Sequence, residues 1–169
     1  MNELFGTVTR SSAEFLSSKI RRRVLFLVIL SIVALAEFFT LGLARRTFVF
    51  YTVNDGGIVV EDRMLKRSSL REDDVIRYVE ETLLGPSAHD LLPLFPGGTR
   101  LKTLLYRDGV VFANLSQDAA LPPVEEESAL IGFRTLHDGI KRNFASVKEV
   151  RFFIEGNAAF AEEFRSGVW

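Results

Sequence analysis

Ser87, His89 and Asp90 carry the side-chain types of a hydrolase triad. A triad needs its nucleophile, base and orienting acid to converge on one reacting atom, and residues this close in sequence do not converge that way, so they read as a loop. His137 and His89 are the only imidazoles and the chain has no cysteine. A zinc site would need carboxylates for its remaining ligands, and none is expected. Asp73-Asp74, Glu80-Glu81 and Glu125 to Glu127 are clustered carboxylates of the kind that cleave cell-wall sugars by acid–base chemistry. Asp73, Asp74 and Glu125 to Glu127 stand where helices should start, and negative charge there stabilises a helix by a few tenths to about 1 kcal/mol. That structural role is the preferred reading. Gly56-Gly57 and Gly97-Gly98 have neither the spacing nor the GK[ST] ending of a phosphate loop and read as turns. No catalytic, cofactor-binding or metal-binding residue is assigned, no cofactor is expected, and the chain reads as a non-enzyme.

The elements that position these residues are organised by one apolar segment. Val24 to Leu43, VLFLVILSIVALAEFFTLGL, holds Glu37 as its one charge, with Arg21, Arg22 and Arg23 before it and Arg45 and Arg46 behind it. Twenty helical residues at about 1.5 Å each cover the roughly 30 Å hydrocarbon core, so 24–43 is expected to be a single-pass transmembrane signal anchor. The excess of basic residues before it places the tail, residues 1–23, in the cytoplasm and the rest outside the cytoplasmic membrane. A cleaved signal peptide is the competing expectation, because Ala34-Leu35-Ala36 precedes Glu37 as an A-x-A site, but the apolar run continues past it. Glu37 falls near the outer end of the span, where interfacial exposure explains it better than an ion pathway. Phe5, Phe15, Leu16 and Ile20 with neighbouring basic residues allow a short amphipathic helix on the inner leaflet.

The chain is 47% hydrophobic and 25% charged, the signature of a folded exterior rather than disorder. From Ala44 onward 19 acidic residues oppose 16 basic ones, a mildly acidic balance that argues against nucleic acid and against broad adhesion to anionic surfaces. Arg46 to Val53 and Ile58 to Val60 flank Asn54-Asp55-Gly56-Gly57 as a hairpin. Ser69 and Glu72 have capping-box spacing ahead of a helix over about Arg71 to Leu84, with Val75, Ile76, Val79 and Leu83 on one face and Gly85-Pro86 as the stop. Pro96 to Thr99 form a turn, and Leu101 to Tyr106 with Val110 to Leu115 make a second hairpin around Asp108-Gly109. Pro122-Pro123 open a second helix through Leu130, Phe133, Leu136, Ile140 and Phe144. Val147 to Ile154 read as a strand ending at Glu155-Gly156-Asn157, and Ala158 to Trp169 as a tail with a short helix through Phe160 and Phe164. The order β-β-α-β-β-α-β implies an α+β domain, a mainly antiparallel sheet with helices on one face.

Four stretches, in this order and spacing, resemble a known family: the strand Phe48 to Val53; Leu83-Leu84-Gly85-Pro86; the block from Phe95-Pro96-Gly97-Gly98-Thr99-Arg100-Leu101 through Asp108-Gly109-Val110-Val111-Phe112 to Asn114-Leu115-Ser116; and Val147 to Gly156. Together they are similar to the GerM-type (GerMN) domain of sporulation and spore germination proteins, over roughly Phe48 to Asn157. The resemblance implies a small extracytoplasmic α+β domain over 46–157, similar to the ring-building modules of secretion and sporulation channels, with no known catalytic residues and a role in assembly. The expected partners are envelope proteins and a second copy of the chain. A peptidoglycan-binding module, stacking sugars on Tyr51, Tyr106 or Trp169, is the alternative. A carboxylate-dependent cell-wall hydrolase is a more distant one.

Overall fold

The computed structural model describes residues 19–40, 42–122 and 129–165, without the side chains of 37–40 and 165. Two units divide the chain between Gly42 and Leu43. The first contains helix α1, Lys19–Thr40, whose described side chains from Lys19 to Ala36 are all exposed. Among the described residues no helix is long and apolar enough to cross a membrane. Of the expected span, the side chains described in α1 are those from Val24 to Ala36. The rest of the expected span divides: the Glu37 side chain, the Ala36-Glu37 cleavage question and Leu41 lie outside the described residues, and Leu43 opens a strand. The tail 1–18 and Glu125 to Glu127 also lie outside them.

In the second unit β1, Leu43–Thr52, pairs antiparallel with β2, Ile58–Lys66, and with the two-residue β3, Leu91–Leu92, in the order β2-β1-β3. Strands β4, Leu101–Arg107, β5, Val110–Leu115, β6, Glu149–Ile154, and β7, Asn157–Ala159, form a second sheet in that order. Helices are α2, Arg71–Leu84, α3, Ala129–Asn143, and α4, Ala161–Arg165, with a 3-10 turn at Gln117–Ala120. The expected single, mainly antiparallel sheet is therefore corrected to two sheets, one of them mixed, because β5 and β6 run parallel. The reason is the connection: α3 lies between them, and a helical crossover returns the chain in the same direction, which a tight turn cannot. Both expected hairpins form. At the β4–β5 turn Asp108 and Gly109 take φ of 54° and 86°, and Glu155 and Gly156 at 51° and 83° build a third hairpin into β7.

Phe48 and Phe50 of β1, Val75, Tyr78 and Val79 of α2, Phe133, Leu136 and Ile140 of α3, and Val111, Leu115, Val150 and Phe152 of the second sheet form the core. The α2 stripe is rotated from the expected one. Tyr78 and Thr82 are buried, whereas Ile76 and Leu83 are half-buried. Its start also differs, since Leu70 precedes it with no side-chain cap. Glu72 instead accepts the Tyr106 N–H at 2.7 Å, filling a donor on edge strand β4, while Ser68 donates its N–H to Asp74 (2.6 Å) and its hydroxyl to Asp73 (2.7 Å). Gly85 ends α2, as its place in the expected Gly85-Pro86 stop implies, at φ 88° and ψ −173°, an extended positive-φ conformation that favours glycine.

Two core positions yield tests. Tyr78 stacks on Phe48 with centroids 4.6 Å apart and donates its hydroxyl to the Thr47 carbonyl at 3.2 Å. Burial pushes its phenol up to about 12. The unfolded phenol titrates near 10, so this group's contribution is intact below about pH 10 and falls by about 3 kcal/mol as pH rises through 12. The stability difference between wild type and Tyr78→Phe, measured by denaturant titration, should shrink by that amount across the window. The second position is Gly132, where a Cβ would stand 2.2 Å from the Leu94 carbonyl oxygen. Alanine favours a helix by about 1 kcal/mol over glycine, but overpacking against backbone costs about 1–3 kcal/mol or more. Gly132→Ala should therefore destabilise by about 2 kcal/mol in chemical denaturation, the reverse of what helix propensity alone implies.

Candidate functional site

The residues with chemical side chains are dispersed. Ser87, His89 and Asp90 occupy the exposed loop between α2 and β3, as expected. The loop is tied down through backbone: the Ser87 N–H donates to Glu61 Oε1 at 3.1 Å, and the Asp90 carbonyl accepts the Val53 N–H at 3.0 Å. His137 is buried on α3, with Nδ1 2.8 Å from Asp138 Oδ1 and its ring stacked on Phe164 at 5.0 Å. Among the described residues no group of three or more histidines and acids could hold a metal ion. Asp73 and Asp74 are held by Ser68, and Glu81 accepts from Arg63. The two tyrosines considered for sugar stacking are half-buried with engaged hydroxyls: Tyr51 meets Thr135 Oγ1 at 3.0 Å, and Tyr106 donates to the Ser146 carbonyl at 3.2 Å. Trp169 lies outside the described residues.

What the fold does present is a sheet edge. Strand β2 is an edge of the first sheet, and its alternation leaves Ile58, Val60 and Met64 exposed at 69%, 55% and 54%. The antiparallel register sets Val49 opposite Val60, Arg45 opposite Met64 and Leu43 opposite Lys66, so Leu43, exposed at 43%, continues the same apolar face. One polar pair interrupts it. Asp62 accepts from the Arg45 guanidinium and from Thr47 Oγ1 at 2.9 Å. The Arg45 hydrogen bond, with help from Thr47, holds the Asp62 carboxyl below its ordinary range.

The opposite side of β2 is clamped. Arg63 donates to Glu61 at 2.7 Å, to the Gly85 carbonyl at 2.8 Å and to the Glu81 carbonyl at 3.2 Å. Its guanidinium also lies 4.9 Å from the Phe48 ring centroid. The guanidinium thus satisfies carbonyls at the end of α2 and fastens the helix to the strand, so the edge is held in one register. The hairpin read from the sequence takes in only Ile58 to Val60 of this strand, which continues to Lys66. Exposure alternates strictly from Ile58 to Lys66 once the sheet forms, with Glu61 and Arg63 sharing the covered face and neutralising each other there, but both faces mix apolar and polar residues, so the sequence itself carries no such alternation. An exposed edge strand with an apolar face offers unpaired backbone groups and dehydratable side chains to another chain.

The sequence profile of the Germane family, described as sporulation and spore germination, matches residues 49–159. Among curated proteins none matches the chain. The first GerMN domain of the sporulation protein GerM from Bacillus subtilis is similar in structure, with a TM-score of 0.54 and 16% identity, over 69% of this chain and 86% of that one. The tandem GerMN domains of the same protein match with a TM-score of 0.52 and 17% identity, over 69% of this chain. The chain spans 40% of that tandem protein. At these identities the likeness concerns the fold, and it agrees with the α+β architecture above. This is a family of sporulation and germination domains and not a known family of enzymes. By the match over 49–159, the chain belongs to the Germane family of sporulation and spore germination domains.

Proposed function

We propose that this chain is a membrane-anchored, non-catalytic module whose GerMN domain lies outside the cytoplasmic membrane and assembles with other proteins of the cell envelope. The observation that carries the reading is the β2 edge: a nine-residue strand, fixed from behind by Arg63, with Ile58, Val60 and Met64 exposed on its outer face. A protein partner supplies what such a surface lacks, a neighbouring strand and apolar cover.

The anchor is supported by α1. From Val24 to Ala36 its described side chains are apolar apart from Ser31 and exposed on all sides, and a helix apolar all round belongs in a protein core or a bilayer. Arg21, Arg22 and Arg23 at its start favour a cytoplasmic N-terminus. Peptidoglycan binding has no comparable support, since Tyr51 and Tyr106 are engaged within the fold.

Fractionation of cells producing the full chain tests the reading, with isolated cell walls as a second arm. The chain should stay in the membrane pellet after alkaline carbonate, be cut by protease added from outside, and leave purified cell walls unbound and intact. Release of sugar fragments from the walls, or recovery of the chain in the soluble fraction, would contradict it.

A further inference from the structure

At the end of the domain where β1 begins, Arg46, Arg67 and Arg71 line one polar cleft of about 330 Å³ together with Ser68, Ser69 and Asp74. Arg46 is the floor. Its side chain is 15% exposed, packs 4.1 Å over the Phe144 ring and donates to the Asn143 carbonyl at 2.5 Å. Burial is the chief cause that lowers its proton affinity; Asp74 opposes this, and the Arg67 and Arg71 charges add to it, so all three guanidinium groups are within electrostatic reach of one another. Asp74 is the one carboxylate in the lining, and it is occupied by the Ser68 N–H at 2.6 Å and by Arg46 at 3.9 Å. The lining therefore carries a net charge of about +2 at neutral pH, in a domain that is acidic as a whole.

Arg67 and Arg71 are exposed at the mouth, where an anion can reach their guanidinium groups. Guanidinium forks suit a phosphate better than a single carboxylate, because a phosphate offers several oxygens to donors arriving from different directions, and the two serine hydroxyls add neutral donors.

The location indicates the source of the phosphate. Leu43 pairs with Lys66, which puts Arg67 beside the first residue of the domain. In the sequence two residues separate Thr40, the end of α1, from Leu43. We propose that this cleft binds the phosphate of an anionic membrane lipid headgroup and so holds the domain against the surface of the bilayer. The proposal rests on the reading of α1 as a membrane anchor.

Hydrogen exchange on the full chain in lipid nanodiscs is the test. Discs of phosphatidylcholine alone are compared with discs containing phosphatidylglycerol, and glycerol 1-phosphate is added to the former. Amides 67–72 should exchange about tenfold more slowly when phosphatidylglycerol is present, the scale of one or two charge-assisted hydrogen bonds, and the Arg67→Gln/Arg71→Gln variant should lose this protection. Both arginines are exposed, so an unchanged melting temperature verifies that the variant is folded. Equal exchange in the two discs overturns the proposal. Protection by glycerol 1-phosphate with none from phosphatidylglycerol also overturns the lipid assignment. A chain that fails to enter discs contradicts the anchor instead, and the glycerol 1-phosphate titration then still reports on the cleft by itself.

Discussion

Alanine in place of Phe133 is expected to lower the stability of the domain by about 3–5 kcal/mol, the range for removing a fully buried aromatic ring from a core. Phe133 has no exposed surface and stands where the two sheets meet through α3. Its ring meets Phe95 edge-on at 5.2 Å, Phe152 at 5.1 Å and Phe160 at 5.1 Å. Phe95 follows β3, Phe152 is in β6 and Phe160 follows β7, so the cavity would touch both sheets and the C-terminal segment together. Edge-to-face pairs add about 0.5–1.5 kcal/mol each beyond area burial, which places the effect in the upper part of the range. Small domains are stable by only about 5–15 kcal/mol, so the melting temperature should fall by about 10–15 °C. Phe133→Leu keeps most of the volume and should cost less than half as much. A loss under about 1 kcal/mol for the alanine variant in thermal and denaturant unfolding would show that this cluster is not the joint between the sheets.

Lysine at both Val60 and Met64 is expected to abolish assembly while leaving the fold intact. These side chains are more than half exposed, and surface substitutions of this kind change stability by about 0.5 kcal/mol or less. Burying two unpaired ammonium groups in an apolar contact is a much larger penalty, several kcal/mol for each charge, and would reduce association at least a hundredfold. Lysine on an edge strand is also the substitution that most directly discourages a neighbouring strand from pairing. The melting temperature and the cross-linking yield of the double variant together separate loss of docking from loss of folding.

Much of this architecture is legible in the residues because local physics decides it. The Asn54 to Gly57 and Asp108-Gly109 turns, flanked by apolar runs, fold as hairpins, and the acidic first turn of α2 and its Gly85-Pro86 stop bound a helix at Arg71 and Leu84. What escapes is decided at a distance. Strand β3 has two residues and exists because Tyr51 and Thr52 offer it an edge. The parallel pairing of β5 with β6 depends on where α3 packs. Glu72 leaves the capping box because β4 presents an unpaired N–H at Tyr106. The edge face was hidden for a different reason: Glu61 and Arg63 look like surface charges until the sheet forms, pairs them with each other and brings Arg63 to Glu81 and the end of α2. The basic cleft is likewise assembled at a distance, from residue 46 of β1, residue 67 of the connection after β2 and residue 71 of α2, within a domain whose net charge has the opposite sign.

Whether the outer face of β2 meets protein partners is read out by cross-linking in intact cells. A photoreactive side chain is placed at residue 60 of the full chain at native expression level, and the products are identified by mass spectrometry. Abundant cross-links are expected from this position to an envelope protein or to a second copy of the chain, lost when Met64 is replaced by lysine, and few from a control at Lys148, an exposed position just before β6. Equal or greater yield from Lys148, with none from residue 60, would contradict docking at this face.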